Sequence, residues 1–205
     1  MKHNTFHKDL RQGLAVEQHL RHLIETKRPG AITKDGPGNS AYDFEVIHPA
    51  NGMIAWVEVK DESNYKHTGN VCIETCRTSM SEPSGIATTL ADVMVHYFDD
   101  DNMFVHNVAK TQQALMAMGG RYFERRFSKT DVAAGGYIIP VDDFPVKNYN
   151  GNTYAMTNKK RLADDIVRIA YEYTRGQWTS ALAEAVLATP IGEANSNLGE
   201  VVTRD

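Results

Sequence analysis

The chain has 205 residues, of which 41% are hydrophobic, and its formal net charge is −4 at pH 7. This length and composition predict one α/β domain with a sizeable core. No apolar run approaches the roughly 20 residues that span a bilayer, and the polar start Met1-Lys2-His3-Asn4 excludes a signal peptide. Two cysteines are too few for a disulfide framework, so we expect a soluble, cytoplasmic protein.

The first predicted elements are a helix and a hairpin. Apolar spacing predicts a helix over residues 10–26, which Pro29-Gly30 would end. An extended run follows at 42–47, and the turn sequence Pro49-Ala50-Asn51-Gly52 separates it from a second run at 53–60. Together these features predict an antiparallel hairpin.

The next elements complete a candidate core. Residues 71–75 predict a third strand, and the spacing of Ile86, Leu90, Val93 and Tyr97 predicts a helix that starts near Ser84. Strands are then expected at 102–108 and 135–141, with helices at 161–175 and 178–187. We expect one domain over 1–188, with its core at about 10–110, additions at 111–188 and a flexible tail at 189–205.

Three charged residues stand out because strand alternation gathers them. Glu58 and Lys60 share one face of the second hairpin strand, and Asp43 opens the neighbouring strand. Carboxylates that lie together raise one another's pKa unless a cation neutralises them, and a hard divalent ion is the usual partner. The sequence therefore predicts a metal site here.

The order of elements and the Asp43, Glu58-Val59-Lys60 set resemble the PD-(D/E)XK nuclease superfamily, the fold of many restriction enzymes and Holliday-junction resolvases. Within it, segment 68–92 resembles phage-type endonucleases. The resemblance covers about residues 10–110 and departs where Tyr42 replaces the family's leading proline. It implies a restriction-endonuclease-like α/β core: a helix, a three-stranded antiparallel meander, a helix and a strand, in a mixed central sheet flanked by helices, with C-terminal helical additions.

The resemblance also implies a chemistry. Asp43, Glu58 and the carbonyl of Val59 would hold Mg²⁺, for which Mn²⁺ would substitute. Lys60 would orient or deprotonate the attacking water, or offset developing negative charge. Neighbouring carboxylates raise the pKa of the lysine, whereas desolvation and the metal lower it, so the sequence leaves its protonation state open.

Two further glutamates are candidates. Glu17 lies in the run Gly13-Leu14-Ala15-Val16-Glu17, which matches a Gly-x-x-x-Glu setting of resolvase-like members and implies an outer metal ligand that acts through water. Its alternative is an exposed helix carboxylate paired with Arg21. Glu74 is a possible second metal ligand, and its alternative is a solvated strand face.

Nucleic-acid contacts are expected from hydroxyls and basic residues. Thr88 and Thr89 are candidates for phosphate contact, or else belong to the wet side of a helix. Residues 35–101 carry twelve acids and three bases, while residues 1–34 carry seven bases and three acids. A further basic cluster contains Arg121, Arg125 and Arg126 with interleaved aromatics, which suits phosphate binding and base stacking, although a solvated helix explains it equally well.

The expected function is a Mg²⁺-dependent DNA endonuclease, phage-encoded and located in the host cytoplasm, that acts on branched or duplex DNA. Symmetric cutting of two strands would need a homodimer. The alternative is a catalytically silent module on the same scaffold that binds nucleic acid or a host protein, for example as an anti-defence protein.

Overall fold

The computed structural model describes residues 4–37, 41–63, 67–77, 82–118, 123–127, 133–148 and 153–171. The helices in these ranges are α1 (Asn4–Lys27), α2 (Val108–Met118) and α3 (Leu162–Tyr171). The strands are β1 (Ile32–Asp35), β2 (Phe44–Ile47), β3 (Ile54–Asp61), β4 (Asn70–Arg77), β5 (Glu82–Pro83), β6 (Val93–Asp99), β7 (Asn102–Asn107), β8 (Phe123–Phe127), β9 (Ala133–Pro140) and β10 (Tyr154–Thr157). The fold is mixed α/β, as predicted.

The central sheet has six strands in the order β1-β2-β3-β6-β7-β10. It is mixed, because β3 and β6 are parallel and the other neighbours are antiparallel. The predicted hairpin is confirmed: β2 pairs with β3, and Glu45 lies opposite Trp56. Gly52 closes the turn with φ +67°, a conformation that glycine adopts without steric cost.

A second, antiparallel sheet has the order β5-β4-β9-β8. The predicted strand at 71–75 is confirmed as β4, but its place in the meander is wrong, since β4 pairs with β9 and not with β3. The three-stranded antiparallel meander consists instead of β1, β2 and β3. Strand pairing across more than sixty residues, such as Ile73 with Tyr137, leaves no local sequence signal.

The helix predicted from Ser84 is also wrong. A 3₁₀ turn, Gly85–Ala87, and the strand β6 occupy this stretch, and Leu90 is 53% exposed rather than part of a buried stripe. The run Val93-Met94-Val95 is buried because β6 lies inside the sheet with both faces covered. Such a continuous apolar run cannot be distinguished from a buried helix by its spacing.

The core lies on both faces of the central sheet. Val93 and Val95 pack with Leu20 of α1 and Ile166 of α3, whereas Met94, between them, packs with the second sheet and α2. The central sheet is therefore covered by α1 and α3 on one face and by the second sheet and α2 on the other.

A buried chain of hydrogen bonds connects the two sheets. Glu62 Oε1 accepts from the Cys72 N–H of β4 at 2.8 Å and lies 3.1 Å from His96 Nδ1. His96 Nε2 lies 3.1 Å from His106 Nε2, and His106 Nδ1 lies 2.7 Å from Thr111 Oγ1. Burial, followed by the charge of neighbouring His96, keeps the pKa of His106 well below its usual value.

The remaining predicted elements have mixed outcomes. Strands 102–108 and 135–141 are confirmed as β7 and β9, and α3 confirms the helix predicted at 161–175 over its described part. The helix predicted at 178–187 and the tail from 189 lie outside the described residues. No helix within the described ranges has the length and apolar character needed to cross a membrane.

Candidate active site

A pocket of about 380 Å³ is lined by residues of α1, by Asp43, which precedes β2, and by residues of β3. It brings together Asp43, Glu58, Val59, Lys60 and Glu17, all of which the sequence singles out. The complete lining also contains Leu10, Gln12, Gly13 and Asp61.

Asp43 is placed by two main-chain bonds to the neighbouring strand. Its N–H donates to the Val57 carbonyl at 2.9 Å, and its Oδ2 accepts from the Val59 N–H at 2.6 Å. Burial, followed by the nearby Glu58 carboxylate, raises the pKa of Asp43 to about 7 despite the hydrogen bond from Val59. The site therefore holds Asp43 in an environment that disfavours its charge when no cation is present.

Glu58 and Lys60 form an ion pair along one face of β3. The Lys60 Nζ lies 2.8 Å from Glu58 Oε1, and Glu58 is buried. Burial lowers the pKa of Lys60, but the Glu58, Asp43 and Glu74 carboxylates outweigh it, so the net pKa is raised. In the metal-free pocket the neighbouring carboxylates therefore favour the protonated form of Lys60.

Glu17 reaches the same pocket from α1. It is half-buried, and burial, followed by the charge of Glu58, raises its pKa. Arg21, its alternative partner, instead donates to Thr33 at 3.2 Å and pairs with Asp35. The pocket position is thus the better account of Glu17.

Glu74 lies near the pocket without lining it. Its Oε1 accepts a hydrogen bond from the Ser84 hydroxyl, and its charge contributes to the raised pKa of Lys60. The role of Glu74 as a metal ligand stays a prediction.

The two threonines have different environments, which the sequence did not foresee. Thr88 is exposed, and its hydroxyl lies 3.3 Å from the Gly85 carbonyl. Thr89 is 2% exposed and its hydroxyl lies 3.2 Å from Glu58 Oε2, so it does not lie on a wet helix face, and its contact with phosphate stays a prediction. A wet helix face, the alternative for both residues, does not apply because no helix forms here beyond the 3₁₀ turn Gly85–Ala87.

The basic cluster is described only in part. Arg125 and Arg126 belong to β8, a strand, so a solvated helix does not account for them. Arg121 lies outside the described residues. Their contact with nucleic acid stays a prediction.

The donor set of the pocket suits a hard divalent cation. Two carboxylates and a main-chain carbonyl, from Asp43, Glu58 and Val59, supply the oxygen atoms that Mg²⁺ prefers, with water filling its other positions. Burial and then the Glu58 carboxylate raise the pKa of Asp43, and a bound cation would offset both effects. In the described part of the chain, no three or more His, Cys, Asp and Glu side chains form a metal-binding group.

Comparisons of the chain with protein-family profiles, curated proteins and solved structures gave no match. The resemblance to the PD-(D/E)XK superfamily therefore stays a prediction from the sequence.

Proposed function

We propose that this protein is a Mg²⁺-dependent phosphodiesterase that cleaves DNA, an endonuclease of the PD-(D/E)XK type. The observation that carries the proposal is the convergence of Asp43, Glu58 and Lys60 in one pocket, with Glu17 on its opposite wall. The parallel pairing of β3 with β6 places the Glu58-Val59-Lys60 strand at the centre of a mixed sheet, which fixes these side chains on a rigid element.

Phosphodiester hydrolysis needs stabilisation of charge on the phosphoryl group, and Lys60 supplies a cation for it. In the metal-free protein the Glu58 and Asp43 carboxylates raise the pKa of Lys60, and an ammonium group at this position would stabilise the charge that develops on the phosphoryl group. Asp43, Glu58 and the Val59 carbonyl would hold Mg²⁺, which would polarise a phosphoryl oxygen and acidify a bound water.

The proton of the attacking water needs an acceptor, and Glu17 is the best-placed one. It lines the pocket, and its raised pKa brings it closer to the pH at which a general base works well. Asp43 and Glu58 are committed to the cation in this scheme, so Glu17 remains available for proton transfer.

Cleavage tests the proposal. Labelled linear, circular, single-stranded and four-way-junction DNA would be incubated with full-length protein and Mg²⁺ or Mn²⁺, with EDTA as the metal-free control. We expect metal-dependent cutting that Glu58→Gln abolishes and Glu45→Gln retains. Glu45 is the matched control because it shares the sheet face but bonds Tyr42 and Trp56 outside the pocket lining.

The preferred substrate would separate the possible versions of the function. Cutting of the four-way junction by a dimer would indicate a resolvase, and cutting of circular duplex would indicate an endonuclease. If folded wild-type protein cuts none of these DNAs, the proposal fails and a module that binds nucleic acid or a host protein becomes the better account.

A further inference from the structure

We propose that Thr89 is a positioning residue that fixes the Glu58 carboxylate for cation binding. This inference rests on the proposed function, since it concerns the ligand set of the same cation. It starts from a buried hydroxyl group: Thr89 is 2% exposed, in the segment between the 3₁₀ turn Gly85–Ala87 and β6.

The hydroxyl of Thr89 lies within hydrogen-bond distance of two acceptors. Its Oγ1 is 3.0 Å from the Ala41 carbonyl and 3.2 Å from Glu58 Oε2. A hydroxyl has one proton and therefore donates to one acceptor at a time. The Ala41 carbonyl already accepts from the Leu90 N–H at 2.7 Å, so the carboxylate has the greater need of the proton.

A further bond orients this hydroxyl. The Ala91 N–H donates to Thr89 Oγ1 at 3.2 Å, which occupies one lone pair of the oxygen. The hydroxyl proton remains available to an acceptor, and of the two acceptors within reach the Glu58 carboxylate is the charged one, which forms the stronger hydrogen bond.

With this bond, both oxygens of Glu58 are held. Lys60 holds Oε1 and Thr89 holds Oε2, and among the described residues no other donor to Oε2 accompanies the threonine. A carboxylate fixed at both ends has one orientation and meets a cation without first losing side-chain entropy. Thr89 thus acts through Glu58 and does not touch the substrate.

The same threonine links the two segments that carry the acidic pair. Ala41 precedes Asp43 by two residues, and Thr89 lies against both its carbonyl and the Glu58 carboxylate. Its loss is therefore expected to affect the cation site more than the fold, since Leu90 continues to hold the Ala41 carbonyl.

The test measures cation affinity and not only cleavage. Isothermal titration calorimetry of the full chain with Mn²⁺ would compare wild type, Thr89→Val, Thr89→Ser and Thr88→Val. We expect Thr89→Val to weaken the affinity by about tenfold or more, the usual effect of removing a group that orients a metal ligand. Thr89→Ser keeps the hydroxyl and should bind like wild type. Thr88→Val should also bind like wild type, because that hydroxyl is exposed and lies 3.3 Å from the Gly85 carbonyl.

Failure of the role of Thr89 can be distinguished from failure of the proposed nuclease function. Wild-type affinity in Thr89→Val would overturn the role of Thr89 while the nuclease proposal stands. If wild type binds no Mn²⁺, the nuclease proposal fails. Crystal structures of wild type and Thr89→Val then test the role of Thr89 by themselves: a rotated Glu58 carboxylate in the variant supports the positioning role, and an unmoved one overturns it. Thr89→Ala serves in the same comparisons if the valine variant does not fold.

Discussion

Replacing Asp43 with asparagine should stabilise the metal-free protein above neutral pH and abolish metal-dependent cleavage. The native state holds the Asp43 proton up to a pKa of about 7, whereas the unfolded chain releases it near its ordinary value of 3.8. Between these values the unfolded state binds fewer protons, so the stability of the wild type falls as the pH rises from about 4 to about 7. Asparagine has no such charge, and its side-chain oxygen still accepts from the Val59 N–H.

The size of this effect follows from the pKa difference. A shift from 3.8 to about 7 corresponds to an upper limit of about 4 kcal/mol. Asp43 is partly exposed and interacts with the charges of Glu58 and Glu17, which reduces this limit. We expect Asp43→Asn to raise the free energy of unfolding by roughly 2 kcal/mol above pH 7. For a chain of this length such a gain raises the Tm by roughly 4–8 °C.

Urea unfolding in EDTA at pH 4.5 and pH 8, followed by circular dichroism, measures this difference. The free energy of unfolding of Asp43→Asn should match that of wild type within about 1 kcal/mol at pH 4.5 and should exceed it at pH 8. Asp101→Asn is the control, because its exposed side chain forms a surface ion pair with Lys159, and its stability should follow wild type within about 0.5 kcal/mol at both pH values. An Asp43→Asn protein that is no more stable than wild type at pH 8 would show that the Asp43 charge does not destabilise the native state.

Four further variants test other parts of the account. Lys60→Met should fold normally and lower single-turnover cleavage by at least about 10²-fold, because it removes the charge-stabilising ammonium; unchanged cleavage would contradict that role. Gly13→Leu should lower both DNA binding and cleavage, since the side chain would enter the pocket. Gly13→Ala should raise the free energy of unfolding in urea by about 0.5–1 kcal/mol, because alanine favours the helix and its Cβ has room. Gly85→Ala should destabilise the fold by about 1–3 kcal/mol in urea unfolding, because φ is +54° and a Cβ would lie 2.4 Å from the Glu74 carbonyl; wild-type stability would argue against this packing. His106→Gln should lower the free energy of unfolding by about 1–3 kcal/mol at pH 8, because it breaks the buried chain of hydrogen bonds. Wild type should lose stability below about pH 6.5, since native His106 resists a proton that the unfolded chain accepts, and the variant should lose less. An equal loss in both proteins would show that another group titrates.

The elements that the sequence predicted correctly are specified by local chemistry. The hairpin of β2 and β3 needs only alternating apolar residues and a turn at Gly52, and α1 needs only its apolar stripe and a stop at Pro29. The convergence of Glu58 and Lys60 also follows from a local rule, since residues two apart on a strand share a face.

The elements that the sequence missed depend on distant partners. Val93, Met94 and Val95 become a strand because β3 and β7 flank them, and nothing in their spacing distinguishes this strand from a helix. The misplaced helix in turn hid the burial of Thr89 and its bond to Glu58. The protonation of Lys60 required the positions of three carboxylates from different segments.

The most direct test of the account is the position of Mn²⁺ in crystals of the full-length protein, measured by anomalous diffraction. We expect an anomalous peak within coordination distance of the Asp43 and Glu58 carboxylate oxygens in wild type. This peak should be absent from crystals of Asp43→Asn. A pocket that contains no Mn²⁺ at saturating concentration, or a peak that persists in Asp43→Asn, would contradict the assignment of these carboxylates as the cation site.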